Sequence, residues 1–258
     1  MGLTLVIDAG NSQLVLGLYE SAALLHQWRL SSGQRLTADE ISLHMHGLFT
    51  QVDIEPARVQ HIMIASVVPQ LDVALDDACQ RLFTCRPAFV GSSEVKTGMA
   101  VDYKNPRDVG ADRIASAVAA RHHFGAPVIV MDCGTATTFD IVSPNGHYSG
   151  GLILPGLEVS LHALSRKAAK LPEVSIQRRD ELIGRDTVSS MQAGAYWAAV
   201  DGYTGIIRRL RTQPGYADAP VIATGGLAHL LINDLPEVHE LRGDLTLEGL
   251  RLLAGHNG

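Results

Sequence analysis

Two short segments of the chain repeat one arrangement of residues. Asp8-Ala9-Gly10-Asn11-Ser12 and Asp132-Cys133-Gly134-Thr135-Ala136-Thr137-Thr138 each follow an apolar run with an Asp, a Gly and then hydroxyl or amide side chains. A glycine at the apex of a tight turn lets backbone N–H groups approach a phosphate, and the hydroxyls add donors. An Asp at the end of the preceding strand can hold a hydrated cation beside a polyphosphate. One isolated Asp-x-Gly is ordinary turn chemistry, an Asx turn closing a strand. Two copies in equivalent context point instead to a pair of hairpins that clamp one nucleotide. A third segment, Ala223-Thr224-Gly225-Gly226-Leu227-Ala228, follows an apolar run and opens a helix, so its glycines leave room for a flat base or ribose. No Gly-x-x-x-x-Gly-Lys-Ser/Thr loop is present and no Gly-x-Gly-x-x-Gly follows a strand, which argues against the P-loop and dinucleotide-binding alternatives.

The elements that must hold these turns also begin alike in the two halves. Apolar runs predict strands over residues 3–8, 14–19 and 23–30, then a helix over 37–49 with Thr37 as its N-cap. A strand over 61–68 stops at Pro69, a helix follows over 71–83, and a short strand over 87–90. Residues 91–107 form a connection long enough to suggest function, and Asp108 is the expected N-cap of a helix running to about Phe124. The second half restarts with strands over 127–132 and 137–142, and Pro144-Asn145-Gly146 turns the chain into a third over 148–154. Helices over 157–170 and 187–211, a strand over 220–223 and a helix over 246–254 complete it. The expected domains are 1–118 and 119–258, with the last helix a candidate to pack back on the first.

The run Tyr103-Lys104-Asn105-Pro106-Arg107-Asp108-Val109-Gly110-Ala111-Asp112-Arg113 resembles the Tyr-x-Asn-Pro...Gly-x-Asp-Arg segment of type III pantothenate kinases. That family's Asp-Cys/Phe-Gly-Thr-Ala-Thr-Thr is matched from Asp132 to Thr138, and its Gly-Gly-x-x-x-Pro-Gly at Gly150, Gly151, Pro155 and Gly156. Its Thr ahead of a Met-x-x-Gly run is matched at Thr187, with Met191 and Gly194. The three glycine turns also resemble, in order and spacing, the phosphate-1, phosphate-2 and adenosine motifs of the acetate/sugar kinase, Hsp70 and actin superfamily. The resemblance implies an α/β fold of two ribonuclease-H-like domains, a mixed sheet in each and a nucleotide cleft between them. It implies ATP-dependent phosphorylation of (R)-pantothenate to 4′-phosphopantothenate, the first step of coenzyme A biosynthesis, by a homodimer.

By the same resemblance Asp112 is the general base for the pantothenate hydroxyl, and Tyr103, Gly110, Ala111, Asp112, Arg113 and Thr187 line the pantothenate site. Asp8, Gly10, Asn11, Ser12 and Gln13, with Thr135, hold ATP, and Mg²⁺ arrives with the nucleotide. Asp132 is a ligand of the monovalent cation, K⁺ or NH₄⁺, that the family requires. Ser12 stands where the family usually has Thr, and Gln13 where it often has His; serine keeps the hydroxyl. A carboxylate within reach of a primary alcohol, with cations around the phosphates, suffices for phosphoryl transfer. From position alone Asp112 caps its helix or pairs with Arg113; the surrounding match gives it the catalytic role. Two other readings use the same residues: a kinase of this superfamily with another small acceptor, and an accessory protein that has kept the fold. The 103–113 match argues against the first, and the presence of Asp8, Asp112 and Asp132 against the second.

Apolar residues make up 46% of the chain and charged residues 19%, a balance that excludes disorder. A formal net charge of −6 leaves no electrostatic footprint for nucleic acid. No apolar run has the length to span a bilayer and no basic, cleavable leader opens the chain, so the expectation is a cytoplasmic protein without a membrane partner. Cys79, Cys85 and Cys133 form neither an even set nor a metal-ligand spacing and read as free thiols. His44, His46, His122 and His123 read as helix-surface residues, and Tyr196 and Trp197 as core or subunit interface.

Overall fold

Leu3, Leu5, Val6, Ile7 and Ala9 are buried on both faces of the first strand, β1 (Leu3–Ala9), as a strand in the middle of a covered sheet requires. The protein is described here from a computed structural model, which covers residues 2–32 and 36–257. By its contacts the chain divides into two units, Met1–Ala119 with Leu245–Gly258, and Ala120–Asp244.

In the first unit β1 pairs antiparallel with β2 (Gln13–Glu20), which pairs antiparallel with β3 (Ala23–Ser31). On its other side β1 pairs in parallel with β4 (Val59–Ser66), and β4 with β5 (Pro87–Phe89), giving the order β3-β2-β1-β4-β5. Helices α1 (Ala38–Gln51) and α2 (Pro69–Leu82) cover one face, where Ile41, Met45, Phe49, Leu71 and Leu75 meet Leu5, Ile7, Leu16 and Leu18. Thr37 closes a capping box with Glu40 at the start of α1, and Pro69 sits in the first turn of α2, where its missing N–H costs nothing. The alternate residues of β1 and β2 point the other way. A side chain added at Gly17 would meet Val6 and Leu247, so that face is covered by the last helix.

A helix, α3 (Ala111–Phe124), leads into the second unit. There β6 (Val128–Cys133) pairs antiparallel with β7 (Ala136–Val142), and β7 with β8 (Tyr148–Pro155). Gly146, at φ +78°, supplies the turn between the last two. Helices α4 (Leu157–Lys167) and α5 (Thr187–Arg211) follow, then β9 (Val221–Thr224), parallel to β6. A short α6 (Ala228–Leu231) and a two-residue strand β10 (Glu240–Leu241) complete a sheet of order β10-β9-β6-β7-β8. Phe139, Tyr196, Tyr203 and Ile207 form its core with Met131 and Ala223. Counted within each unit, both sheets have one strand order: third, second, first, fourth, fifth.

Helix α7 (Leu245–Asn257) packs on β1 and β4 of the first unit. Its Leu245, Leu247, Leu250 and Leu253 are buried, each stabilising the fold by about 1.5–3 kcal/mol on transfer grounds.

The observed elements depart from the expectations in a few places. Asp108 does not cap α3; Asn105 caps a short 3₁₀ turn, Pro106–Asp108, and Val109 is extended before the helix opens at Ala111. The strand β10 carries too few residues to show any periodicity.

Candidate active site

The β1–β2 turn is closed by the Gly10 N–H donating to the Gln13 carbonyl at 3.0 Å. This leaves the side chains of Asn11, Ser12 and Gln13 exposed around a compact turn. Asp8 stands at the carboxyl end of β1, opposite Val15 on β2 and Ala65 on β4. The Val67 N–H donates to the Ala9 carbonyl at 3.0 Å, so the exit of β4 lies beside this turn.

The same exit carries the second group of candidate residues. A Cβ built on Gly110 would lie 3.6 Å from Val67 Cγ1 and 2.5 Å from Asp112 Oδ1. Glycine at 110 is therefore what lets the Asp112 carboxylate fold back over the chain. There Asp112 Oδ1 accepts the Arg113 N–H at 2.8 Å, at the positive end of α3. Burial pushes the Asp112 carboxyl above its ordinary value, and the Arg113 N–H and guanidinium offset only part of that. Residues 102–108, Tyr103 included, are exposed, and Arg113 is partly buried. Asn105 holds the stretch locally, its Nδ2 donating to Asp108 Oδ1 at 2.6 Å.

The second unit brings three separate glycine segments onto one turn. Gly134 N–H donates to the Ala136 carbonyl at 3.0 Å and closes the β6–β7 hairpin. Gly156 N–H donates to the Thr135 carbonyl at 3.1 Å, and a Cβ at Gly156 would strike the Gly134 and Thr135 carbonyls at 2.4 Å. Gly225, at φ +91°, passes so close that its Cβ would sit 2.3 Å from Asp132 Oδ1 and 2.6 Å from the Cys133 backbone. The Leu227 N–H donates to the Cys133 carbonyl at 3.1 Å and fixes this approach. Asp132 is thus framed by Gly134 and Gly225, while Thr135 is exposed at the apex. Behind it the Thr137 and Tyr203 hydroxyls hydrogen-bond at 2.7 Å. Burial pushes the Cys133 thiol up to about 12, so it stays protonated at neutral pH and is no nucleophile.

Thr187 opens α5, whose N-cap Asp186 forms a capping box with Ser189. It is exposed on a cavity of about 780 Å³ with Leu161, Leu164, Met191 and Gly194. It belongs to the second unit, whereas the 103–113 segment belongs to the first. Of the residues outside the site motifs, Tyr196 is core, its hydroxyl donating to Asp234 Oδ2 at 2.6 Å. Among the described residues no group of three His, Cys, Asp or Glu side chains is placed to hold a metal ion. Sequence reasoning named Gly225 and Asp132 in separate motifs; that one packs on the other has no local signal.

Solved structures of low sequence identity share this architecture. A conserved putative Baf family transcriptional activator from Campylobacter jejuni matches with a TM-score of 0.60 at 21% identity, covering 98% of each chain. MreB 5 of Spiroplasma citri, solved with AMPPNP bound, matches with a TM-score of 0.54 at 12% identity over 99% of this chain and 97% of that one. The fold is that of the actin, Hsp70 and sugar kinase class. The profile of the type III pantothenate kinase family matches residues 4–209. The type III pantothenate kinase of Myxococcus xanthus is 46% identical over 257 residues, 99% of each chain, and that of Brevibacillus brevis 43% over 255 residues, again 99% of each. The chain belongs to the type III pantothenate kinase family.

Proposed function

We propose that this protein transfers the γ-phosphoryl group of ATP to pantothenate, giving 4′-phosphopantothenate and ADP, with Asp112 as general base. The observation that carries this reading is the Asp112 carboxylate, folded over Gly110 at the exit of β4 beside the Asp8–Gly10 turn. Its Oδ1 accepts the Arg113 N–H, leaving Oδ2 to take the hydroxyl proton as the alcohol oxygen forms its bond to phosphorus. The bond to the bridging oxygen breaks and ADP leaves. A carboxyl raised above its ordinary value is a stronger base once ionised.

The turn residues Asp8, Gly10, Asn11, Ser12 and Gln13, together with Thr135, bind the ATP phosphates through N–H and hydroxyl donors. Tyr103, Gly110, Ala111, Arg113 and Thr187 bind pantothenate, Arg113 offering its planar fork to the carboxylate. Asp8 fits a hydrated Mg²⁺ arriving with ATP, which would neutralise charge on the phosphates. Asp132, with neighbouring backbone carbonyls as the remaining oxygen donors, fits a large monovalent cation such as K⁺ or NH₄⁺. Leu164, which lines the 780 Å³ cavity, and Leu182 and Ile183, which directly precede its Gly184, are exposed, which supports a homodimer through this face. Light scattering on the eluting protein should give twice the mass of the chain, and a monomer mass would remove that part. No helix of the described residues is long and apolar enough to cross a membrane, and Cys79, Cys85 and Cys133 are free thiols, which supports a cytoplasmic setting.

The test is ADP release with pantothenate as acceptor in potassium against sodium buffer. Turnover several-fold faster in potassium is the expected result. ATP binding without turnover on pantothenate would shift the reading to another acceptor or to an accessory protein.

A further inference from the structure

The two faces of the second sheet carry different chemistry. Phe139 and Ile141 point from β7 into the core that holds Met131, Cys133 and Ala223. Thr138 and Asp140 alternate with them and so leave the opposite face. Asp140 is 1% exposed, and a carboxyl so far from water needs hydrogen-bond donors. The Thr138 hydroxyl donates to its Oδ2 at 2.9 Å, and the Tyr148 hydroxyl donates to its Oδ1 at 2.7 Å. The reaction proposed above uses none of these three side chains.

Strand register sets Thr138 beside Asp132. The two residues are directly opposite on β7 and β6, an arrangement that puts side chains on one face with Cβ atoms about 4.5–5.5 Å apart. On the other side of β6, Asp132 is level with Thr224 of β9. Ala223 points into the core, so Thr224, which is 2% exposed, shares the face of Asp132. Thr224, Asp132 and Thr138 thus form one row of oxygen-bearing side chains at the framed turn, where Gly134 and Gly225 flank Asp132 Oδ1 with backbone alone. A hydroxyl has one hydrogen and two lone pairs. The Thr138 hydrogen goes to Asp140, so that oxygen has only lone pairs left to offer. A carboxylate level with an acceptor oxygen calls for a positive partner, and one carboxylate among neutral oxygens is a donor set that suits a large, weakly hydrated cation.

We propose that Asp140 is a positioning residue for the monovalent cation: by taking the Thr138 hydrogen it turns that hydroxyl into a cation ligand beside Asp132, with Thr224 the oxygen on the other side. This rests on the reading that Asp132 binds such a cation. Thr138→Val keeps the shape and removes the oxygen, and the potassium concentration giving half-maximal turnover should rise about tenfold, with the KM for pantothenate within about twofold of wild type. Thr138→Ser restores the oxygen and should bring the potassium constant back to within about threefold. Asp140→Asn has one carboxamide oxygen for two hydroxyl donors and should raise the constant several-fold. The double variant should be no worse than Thr138→Val alone, because Asp140 acts through that hydroxyl. Melting needs no turnover: the substrate-free protein should melt higher in potassium chloride than in choline chloride at equal ionic strength, and Thr138→Val should lose that difference while Thr138→Ser keeps it. An unchanged potassium constant in Thr138→Val would overturn the proposal, as would a double variant worse by the product of the two single effects. Lower melting of Asp140→Asn with the potassium constant of wild type would make Asp140 a structural residue and overturn it equally. A wild type indifferent to potassium in both turnover and melting would remove the cation reading itself, and the role of Asp140 with it; a potassium-dependent wild type with unaffected variants would remove only the latter.

Discussion

The two glycine turns occupy equivalent places in sheets of one strand order, but they are supported differently. The β1–β2 turn is closed by its own Gly10–Gln13 hydrogen bond and held at its sides by the Ser32 N–H on the Ser12 carbonyl and the Val67 N–H on the Ala9 carbonyl, while Asn11, Ser12 and Gln13 are exposed. The β6–β7 turn is packed from outside by Gly156 and Gly225, and its aspartate is set against Gly225. The two turns share one place in the sheet and differ in what packs on them. The open turn suits a mobile polyphosphate, which needs donors more than a rigid wall. The framed turn suits an aspartate whose oxygens must stay put.

The largest effect expected concerns a residue outside both turns. Asp112→Asn should lower kcat by about 10²- to 10⁴-fold, the usual contribution of a positioned base, with melting close to wild type. In the unsubstituted enzyme kcat/KM should fall as pH drops through the raised Asp112 pKa, because the base works ionised. The acid limb then lies above the usual carboxylate value of about 4, and a limb at or below that value would assign it to another group. The contrast between the turns is sharpened by a pair of glycine substitutions. Gly225→Ala meets both a positive φ and atoms within 2.6 Å, so it should cost about 3 kcal/mol and lower Tm by roughly 10 °C. Gly10→Ala meets only the Gln13 carbonyl at 3.3 Å and should cost less than about 1 kcal/mol, its effect falling on the KM for ATP. Equal losses of stability in a melting experiment would break the contrast.

Much of this architecture is legible in the sequence because its signals are local. Apolar runs gave the strands, Thr37 marked the start of α1, and residues 187–211 were read as one helix with the bounds α5 has. The candidate turns were legible because Asp, Gly and hydroxyl residues signal themselves within a few positions. Asp108 misled because Asn105-Pro106 builds its own short turn first, and Asp108 serves that turn instead. What stayed hidden depends on contacts between distant positions. Gly225 against Asp132 joins segments far apart in the chain, and Asn257 bonds a residue 161 positions away. No periodicity or motif encodes such pairs, since either partner alone is an ordinary residue.

The placement of α7 also bears on how the chain is made. The second unit is one unbroken stretch, Ala120–Asp244, whereas the first is closed by a helix that comes after it. During synthesis the strands β1 to β5 leave the ribosome first, yet the face bearing Val6 and Gly17 must wait for Leu247 and its neighbours. The unit begun first is therefore the last to be completed, and its bare sheet face is the surface most in need of protection while translation continues.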